Sequence, residues 1–257
     1  MPSEATPLPD RTEWRARHLT LIAFPVESAL TQDQNWWTEL TGNQPETSVR
    51  KPQGREDAGT FGDVAVSLEI DPFRVKWTLA PKVDVDNLPD TAPTLGPVFG
   101  RRDWLVELMG RWIQHCPPIK RLAFAGNLVQ LVANRDEAYR RLNSYLHDVN
   151  VSADTSDFMY RLNRRRNTAT GIQGLVVNRL CTWYAVKISF GLHAVSLGSG
   201  ESRDVQIQPE QNAAVLDLDI NTVPEFSTAD LSRDQLRRVF AELVDIGLQA
   251  AEQGDVP

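Results

Sequence analysis

Cysteine is scarce in this chain: 257 residues hold two, Cys116 and Cys181. Neither belongs to a CxxC pair, so the clustered ligands of a structural zinc site and the paired thiols of a redox couple are both missing. Cys116 falls in a helical pattern and Cys181 in an apolar run, RLCTWYAV, where cysteine acts as a small core hydrophobe. A reducing, cytoplasmic setting is the expectation. Long hydrophobic runs are also absent. No stretch approaches the roughly 18 apolar residues of a membrane span, and no membrane partner is expected. Residues 1–10 (MPSEATPLPD) carry neither a basic nor an apolar segment, so no secretory signal is expected there. Lysine is rare, 5 against 22 arginines, a bias that suggests a GC-rich bacterial source.

Motifs of chemistry are equally thin. Four histidines, His18, His115, His147 and His193, stand outside any HExxH or HxH pattern. Gly198-Ser199-Gly200 lacks the GxSxG of a nucleophile elbow, and neither GxGxxG nor GxxxxGK[ST] occurs. No catalytic residue, metal ligand or cofactor is singled out. A hydrolase whose acid and base lie far apart in sequence remains a third reading of function.

What is present is an ordinary globular composition, 41% hydrophobic and 24% charged, with a formal charge of −7. Hydrophobic periodicity predicts the elements. Residues 1–17 read as a loose, polar tail. An apolar run at 19–24 (LTLIAF) reads as a buried strand. Thr31 and Gln34 match a capping box ahead of Trp36, Trp37 and Leu40 at helical spacing. Residues 42–62, rich in Gly, Pro, Gln and charge, read as a long loop. Over 64–80, two period-2 runs flank Asp71-Pro72, the pattern of an antiparallel hairpin. Trp104, Leu108 and Trp112 mark a helix that Pro117-Pro118 stops. Strands follow at 122–132, 158–162, 175–190 and 213–220. Asn134 and Glu137 precede a helix carrying Tyr139, Leu142 and Leu146. Ser232 and Gln235 cap an amphipathic terminal helix that Gly254 closes. The tryptophans at 36, 37, 77, 104 and 112 occupy core positions. These elements suggest an α+β protein of two pseudo-repeated lobes, antiparallel sheet backed by helices. Residues 18–118 would form β-α-β-β-α and residues 119–257 β-α-β-β-β-α. A single α+β domain without duplication accounts for the same order.

One distribution stands out. Residues 158–200 contain no Asp or Glu but carry Arg161, Arg164, Arg165, Arg166, Arg179 and Lys187, a local charge of +6. The rest of the chain holds 21 basic residues against 34 acidic ones. A local patch, not the total, decides what docks. Arg164, Arg165, Arg166 and Asn167 read as a loop, and guanidinium groups suit carboxylate or phosphate recognition. Tyr160, Trp183 and Tyr184 would offer stacking surfaces to unpaired bases. The plainest account is pairing within the protein or simple solvation. An acidic protein partner comes next, then nucleic acid or a nucleotide. Two DxD pairs, Asp84/Asp86 and Asp217/Asp219, put carboxylates on one side of an extended chain. In VLDLDI the opposite face is apolar, so Asp217 and Asp219 read as solvent-facing.

The layout resembles a known family. A strand, a tryptophan-bearing helix and a hairpin ending in FRVKW (73–77) are followed by a helix that stops at a proline break. Strand RLAFAGNLV (121–129), a later hairpin, VLDLDI (215–220) and an amphipathic terminal helix complete it. This order resembles the uncharacterised "sporadically distributed" family of bacterial proteins, over residues 18–250. That family has no established activity or catalytic motif, so the resemblance carries no functional residue over. Its patchy distribution implies accessory genes such as defence or toxin–antitoxin modules. The function expected is therefore non-catalytic binding of an acidic protein partner through Arg161, Arg164, Arg165, Arg166, Asn167, Arg179 and Lys187. The same cluster binding nucleic acid or a nucleotide is the alternative.

Overall fold

Alternation over residues 64–80 yields the hairpin it predicts. A computed structural model, which describes residues 13–26, 34–84, 87, 89–152, 154–189 and 210–256, places it mid-sheet. In chain order the strands are β1 (Arg15–Pro25), β2 (Thr47–Lys51), β3 (Gly54–Phe61), β4 (Val64–Asp71), β5 (Arg74–Pro81), β6 (Ile119–Val132), β7 (Met159–Asn167), β8 (Val176–Ile188) and β9 (Gln211–Thr222). The helices are α1 (Trp36–Thr41), α2 (Arg102–His115), α3 (Arg135–Tyr145) and α4 (Arg233–Gln253). Asp71 makes the β4–β5 turn: its Oδ1 accepts from the backbone N–H of Phe73 and Arg74 at 2.8 and 3.0 Å.

All nine strands join one antiparallel sheet in the order β2-β3-β4-β5-β1-β6-β9-β8-β7. The α+β class is as the sequence indicates, and the sheet is continuous across residue 118 because β1 pairs with β6. Four departures have physical reasons. β1 begins at Arg15, inside the expected tail, because Trp14 is fully buried and its carbonyl accepts from Val98 N–H. The expected loop at 42–62 holds β2 and β3. Every residue of β2 is exposed, so no apolar alternation marks it. Arg164, Arg165, Arg166 and Asn167 lie in strand β7, not in a loop. Trp104 is only partly buried, although the other tryptophans of the helices and hairpin are core. The capping box at Thr31 lies outside the described residues, as do Asp86, His193 and residues 198–200. Among the described residues, Asn35 precedes α1 without a side-chain cap. The box at Ser232 and Gln235 forms as expected, and Asn134 Oδ1 caps α3 by accepting from Glu137 N–H at 2.9 Å.

The helices cover one face of the sheet. Trp37, Trp77 and Trp112 pack ring against ring, with centroids 6.2 and 6.3 Å apart, where α1 and α2 meet β5. Trp14, Tyr145 and Trp183 form a second aromatic group, 5.3–5.9 Å apart, where α3 meets β8. Gly247 lets α4 approach β6: a Cβ there would lie 2.8 Å from Phe124 Cε1. Burying such side chains contributes on the order of 2–3 kcal/mol each. The other face carries mainly small and polar residues around one small apolar cluster that includes Val129 and Val215, and no described helix lies over it. Among the described residues, no helix is long and apolar enough to cross a membrane.

Candidate functional site

The basic stretch becomes the outermost strand β7 and its neighbour β8, and alternation splits it between two faces. Even-numbered positions of β7 face the helices. Arg164 donates from Nε and Nη2 to both oxygens of Asp255, at 2.8 and 3.0 Å, and Tyr160 Oη donates to the same carboxylate at 2.9 Å. Arg179, its register partner on β8, is 4% exposed, lies 3.8 Å from Asp255 and donates to the carbonyl of Val256. The guanidinium of Arg164 holds the Asp255 carboxyl below its ordinary pKa, against the opposing effect of burial. Burial also lowers the pKa of Arg179. Arg166 donates to Gln249 of α4 at 3.1 Å. These three arginines fasten the end of the chain to the sheet.

The odd-numbered positions face away. Arg165 is exposed and pairs with Glu225 at 3.0 Å, and Asn167 ends the strand exposed. Arg161 is exposed and makes no ion pair among the described residues. Lys187, near the end of β8, pairs with Glu210 at 3.3 Å, both side chains more than half exposed. Structure therefore brings Arg164 and Arg179 together, leaves Arg161, Arg165 and Asn167 on the opposite face, and sets Lys187 apart. Sequence spacing alone could not separate these groups until the run was known to be a strand.

Two polar ladders cross the open face beside Arg161 and Arg165. In the first, Asn163 Nδ2 donates to Asn178, Asn178 to Asn221, and Arg121 on β6 to the same Asn221 oxygen, over 3.0–3.2 Å steps. In the second, Asp217 accepts from Asn127 Nδ2 at 2.6 Å and from Tyr184 Oη at 3.0 Å. Burial, with the adjacent Asp217 charge, pushes the Tyr184 phenol up to about 12. Asp217 and Asp219 thus face the open side as expected, and Asp219 accepts from Asn221 at 2.8 Å. The three aromatics expected to stack on bases divide between the two faces, Trp183 and Tyr160 toward the helices and Tyr184 on the open side. Trp183 is 1% exposed on the helix side, and the hydroxyls of Tyr160 and Tyr184 are engaged.

Both cysteines are buried, and burial pushes the thiols of Cys116 and Cys181 up to about 11 and about 12. Thiols held so high stay protonated and unreactive near neutrality. Among the described residues, no three His, Cys, Asp or Glu side chains cluster as a metal site would need.

No family model matches the chain, and neither the curated proteins nor the solved structures contain a match to it. The family resemblance therefore rests on the order of elements and the short strings FRVKW, RLAFAGNLV and VLDLDI.

Proposed function

We propose that the protein is a non-catalytic binding module that docks an acidic protein segment along β7. The observation that carries this reading is Arg161. It is an exposed cation without an ion-pair partner among the described residues, on a strand that pairs with β8 alone. An edge strand presents a free row of backbone donors and acceptors, to which an extended peptide adds as a further strand. The charge of β7 selects the addition. A second copy would stack arginine on arginine, whereas an acidic strand brings carboxylates opposite Arg161 and Arg165. Arg164 and Arg179 hold the platform from behind, so the cluster divides into contact and support. Nucleic acid fits less well, because Trp183 is buried and Tyr160 turns to the helix side, leaving Tyr184, its hydroxyl held by Asp217, as the aromatic of this group on the open face.

The test uses a labelled acidic strand of about eight residues alternating Glu and Val, its Lys counterpart, and an oligothymidine. Anisotropy should show the acidic peptide binding to the whole protein, with R161E/R165E weakening it by tenfold or more, on the order of 1.4 kcal/mol. Equal binding of the acidic and basic peptides would refute the reading. Tighter binding of the oligothymidine, falling steeply with salt, would replace it with the nucleic-acid reading.

We also propose that the halves are related by duplication. With β2, which has no counterpart, set aside, the order β1-α1-β3-β4-β5-α2 parallels β6-α3-β7-β8-β9-α4, and outward from the central β1–β6 pair β5-β4-β3 matches β9-β8-β7. If superposing these segments left α2 far from α4, the idea would fail.

A further inference from the structure

A second site, beyond the docking edge, lies over β1 and β5 on the open face. The register of β1 against β6 slips by one residue between Ala16 and His18, so Arg17 is the extra residue of a β-bulge. A bulge turns two consecutive side chains toward one side of a sheet, and such features recur where a side chain must be re-aimed. Arg17 and His18 both line a groove of about 440 Å³, which Lys76 of β5 borders from the next strand. Arg17 makes no ion pair among the described residues, whereas Lys76 is bonded to Glu69 at 2.8 Å. Among the described residues, no carboxylate lines the groove itself.

The remaining surfaces complete a built site. On the floor, Thr20 Oγ1 donates to Thr78 Oγ1 at 3.4 Å, leaving hydroxyl capacity open toward the groove. One wall is apolar, with Pro93 and Ile188 facing the cations. That wall is fixed in place: Gln211 accepts from Ala92 N–H at 2.8 Å and donates to Asp90 O at 3.0 Å, clasping residues 90–92 over the sheet. Ala92 and Ile188 further pack with Val129, Ala213 and Val215 as a small apolar cluster.

We infer that this groove binds a phosphate monoester with a short apolar body, its phosphate between Arg17, His18 and Lys76 and its body against Pro93 and Ile188. Three nitrogen-bearing side chains lining one groove suit a dianion better than a single carboxylate, and arginine offers the bidentate fork that phosphate accepts. Crowding by the surrounding protein lowers the pKa of His18, although Asp217 draws it up and Arg17 and Lys76 push it down further. Lining the groove beside Arg17, the imidazole is placed to report an arriving anion.

The experiment follows the His18 imidazole by NMR during titration of the whole protein with phenyl phosphate, inorganic phosphate and benzoate. Phenyl phosphate should shift His18 saturably with a dissociation constant of about 1 mM or tighter. R17Q and K76A should each weaken it by about tenfold, the scale of one lost charge-assisted contact, while the exposed K120A control leaves it unchanged. No saturable shift, or shifts indifferent to both groove variants, would overturn the site. Inorganic phosphate binding as well as phenyl phosphate would overturn the apolar half of the assignment, and benzoate binding more tightly would overturn the phosphate half. Peptide binding at β7 is a separate readout, so failure at either site leaves the other standing.

Discussion

The Arg164–Asp255 pair separates supporting arginines from contact arginines, and its contribution can be worked out. Two parallel N–H···O bonds of 2.8 and 3.0 Å join side chains that are 30% and 11% exposed. A charge-assisted hydrogen bond contributes about 1.5–3 kcal/mol when shielded, and solvent at Arg164 reduces this. A coupling of about 1–2 kcal/mol between the two residues is expected. D255A should cost more, about 2–3 kcal/mol, because it also strands the Tyr160 hydroxyl and the buried Arg179. Urea unfolding of the wild type, R164A, D255A and the double variant measures this as a double-mutant cycle. Acid supplies a second axis. The folded-state pKa of Asp255 lies below the ordinary 3.8, so the stabilisation is complete above that value. It is lost as pH falls through the lower folded value, and the gap between wild type and D255A should therefore close as acid protonates the carboxyl. A coupling under about 0.3 kcal/mol, or a gap that persists in acid, would refute the assignment of Arg164 to support.

Gly247→Ala should lower stability by about 1–2 kcal/mol in thermal unfolding, because the new methyl meets the Phe124 ring at 2.8 Å and helix propensity returns only part of that cost. Ser232→Ala should cost about 1 kcal/mol by removing the α4 capping box, readable in the urea midpoint. In an ultraviolet pH titration, the difference between wild type and Y184F should show one phenol ionising near 12; ionisation near the ordinary 10 would place Tyr184 in solvent. Cys116 and Cys181 should resist a thiol reagent at neutral pH until denaturant is added, and rapid native-state labelling of either would contradict its burial.

Legibility in the sequence followed burial. β4 and β5 alternate cleanly because their inner residues Val64, Val66, Leu68, Val75, Trp77 and Leu79 are buried while the outer ones meet solvent. The Ser232 cap and the Leu236–Phe240–Leu243 face were equally readable because capping and helical packing are local in sequence. β2 and β3 were not. Their pairing partners lie across a hairpin, their residues are mostly polar, and Gly54 looks like a loop residue. It is instead required by a close approach: a Cβ there would lie 2.5 Å from Ile70 O. Only the first half of β7 was legible, as the strand at 158–162; its second half was hidden because the arginines occupy both faces of an edge strand. The ladders through Asn221 and Asp217 join residues from β6, β8 and β9, and nothing in their separate segments marks them as neighbours.

A sheet with helices on one face leaves the other to be finished by polar chemistry, and here that finish is uneven. Across β6, β9 and β8, the ladders occupy the polar groups with one another, so this middle ground offers few free donors to a ligand. Two cations without an ion pair among the described residues stand on this face, Arg161 on the outermost strand and Arg17 on the bulge of the central strand β1. Both sit at irregularities of the sheet: one where pairing ends, the other where the register slips. A net charge of −7 therefore does not argue against two anionic ligands. Because the two positions belong to different strands, R161E/R165E should weaken peptide docking and spare the groove, and R17Q should do the reverse. If either variant impaired both, the two positions would have to be parts of a single extended surface.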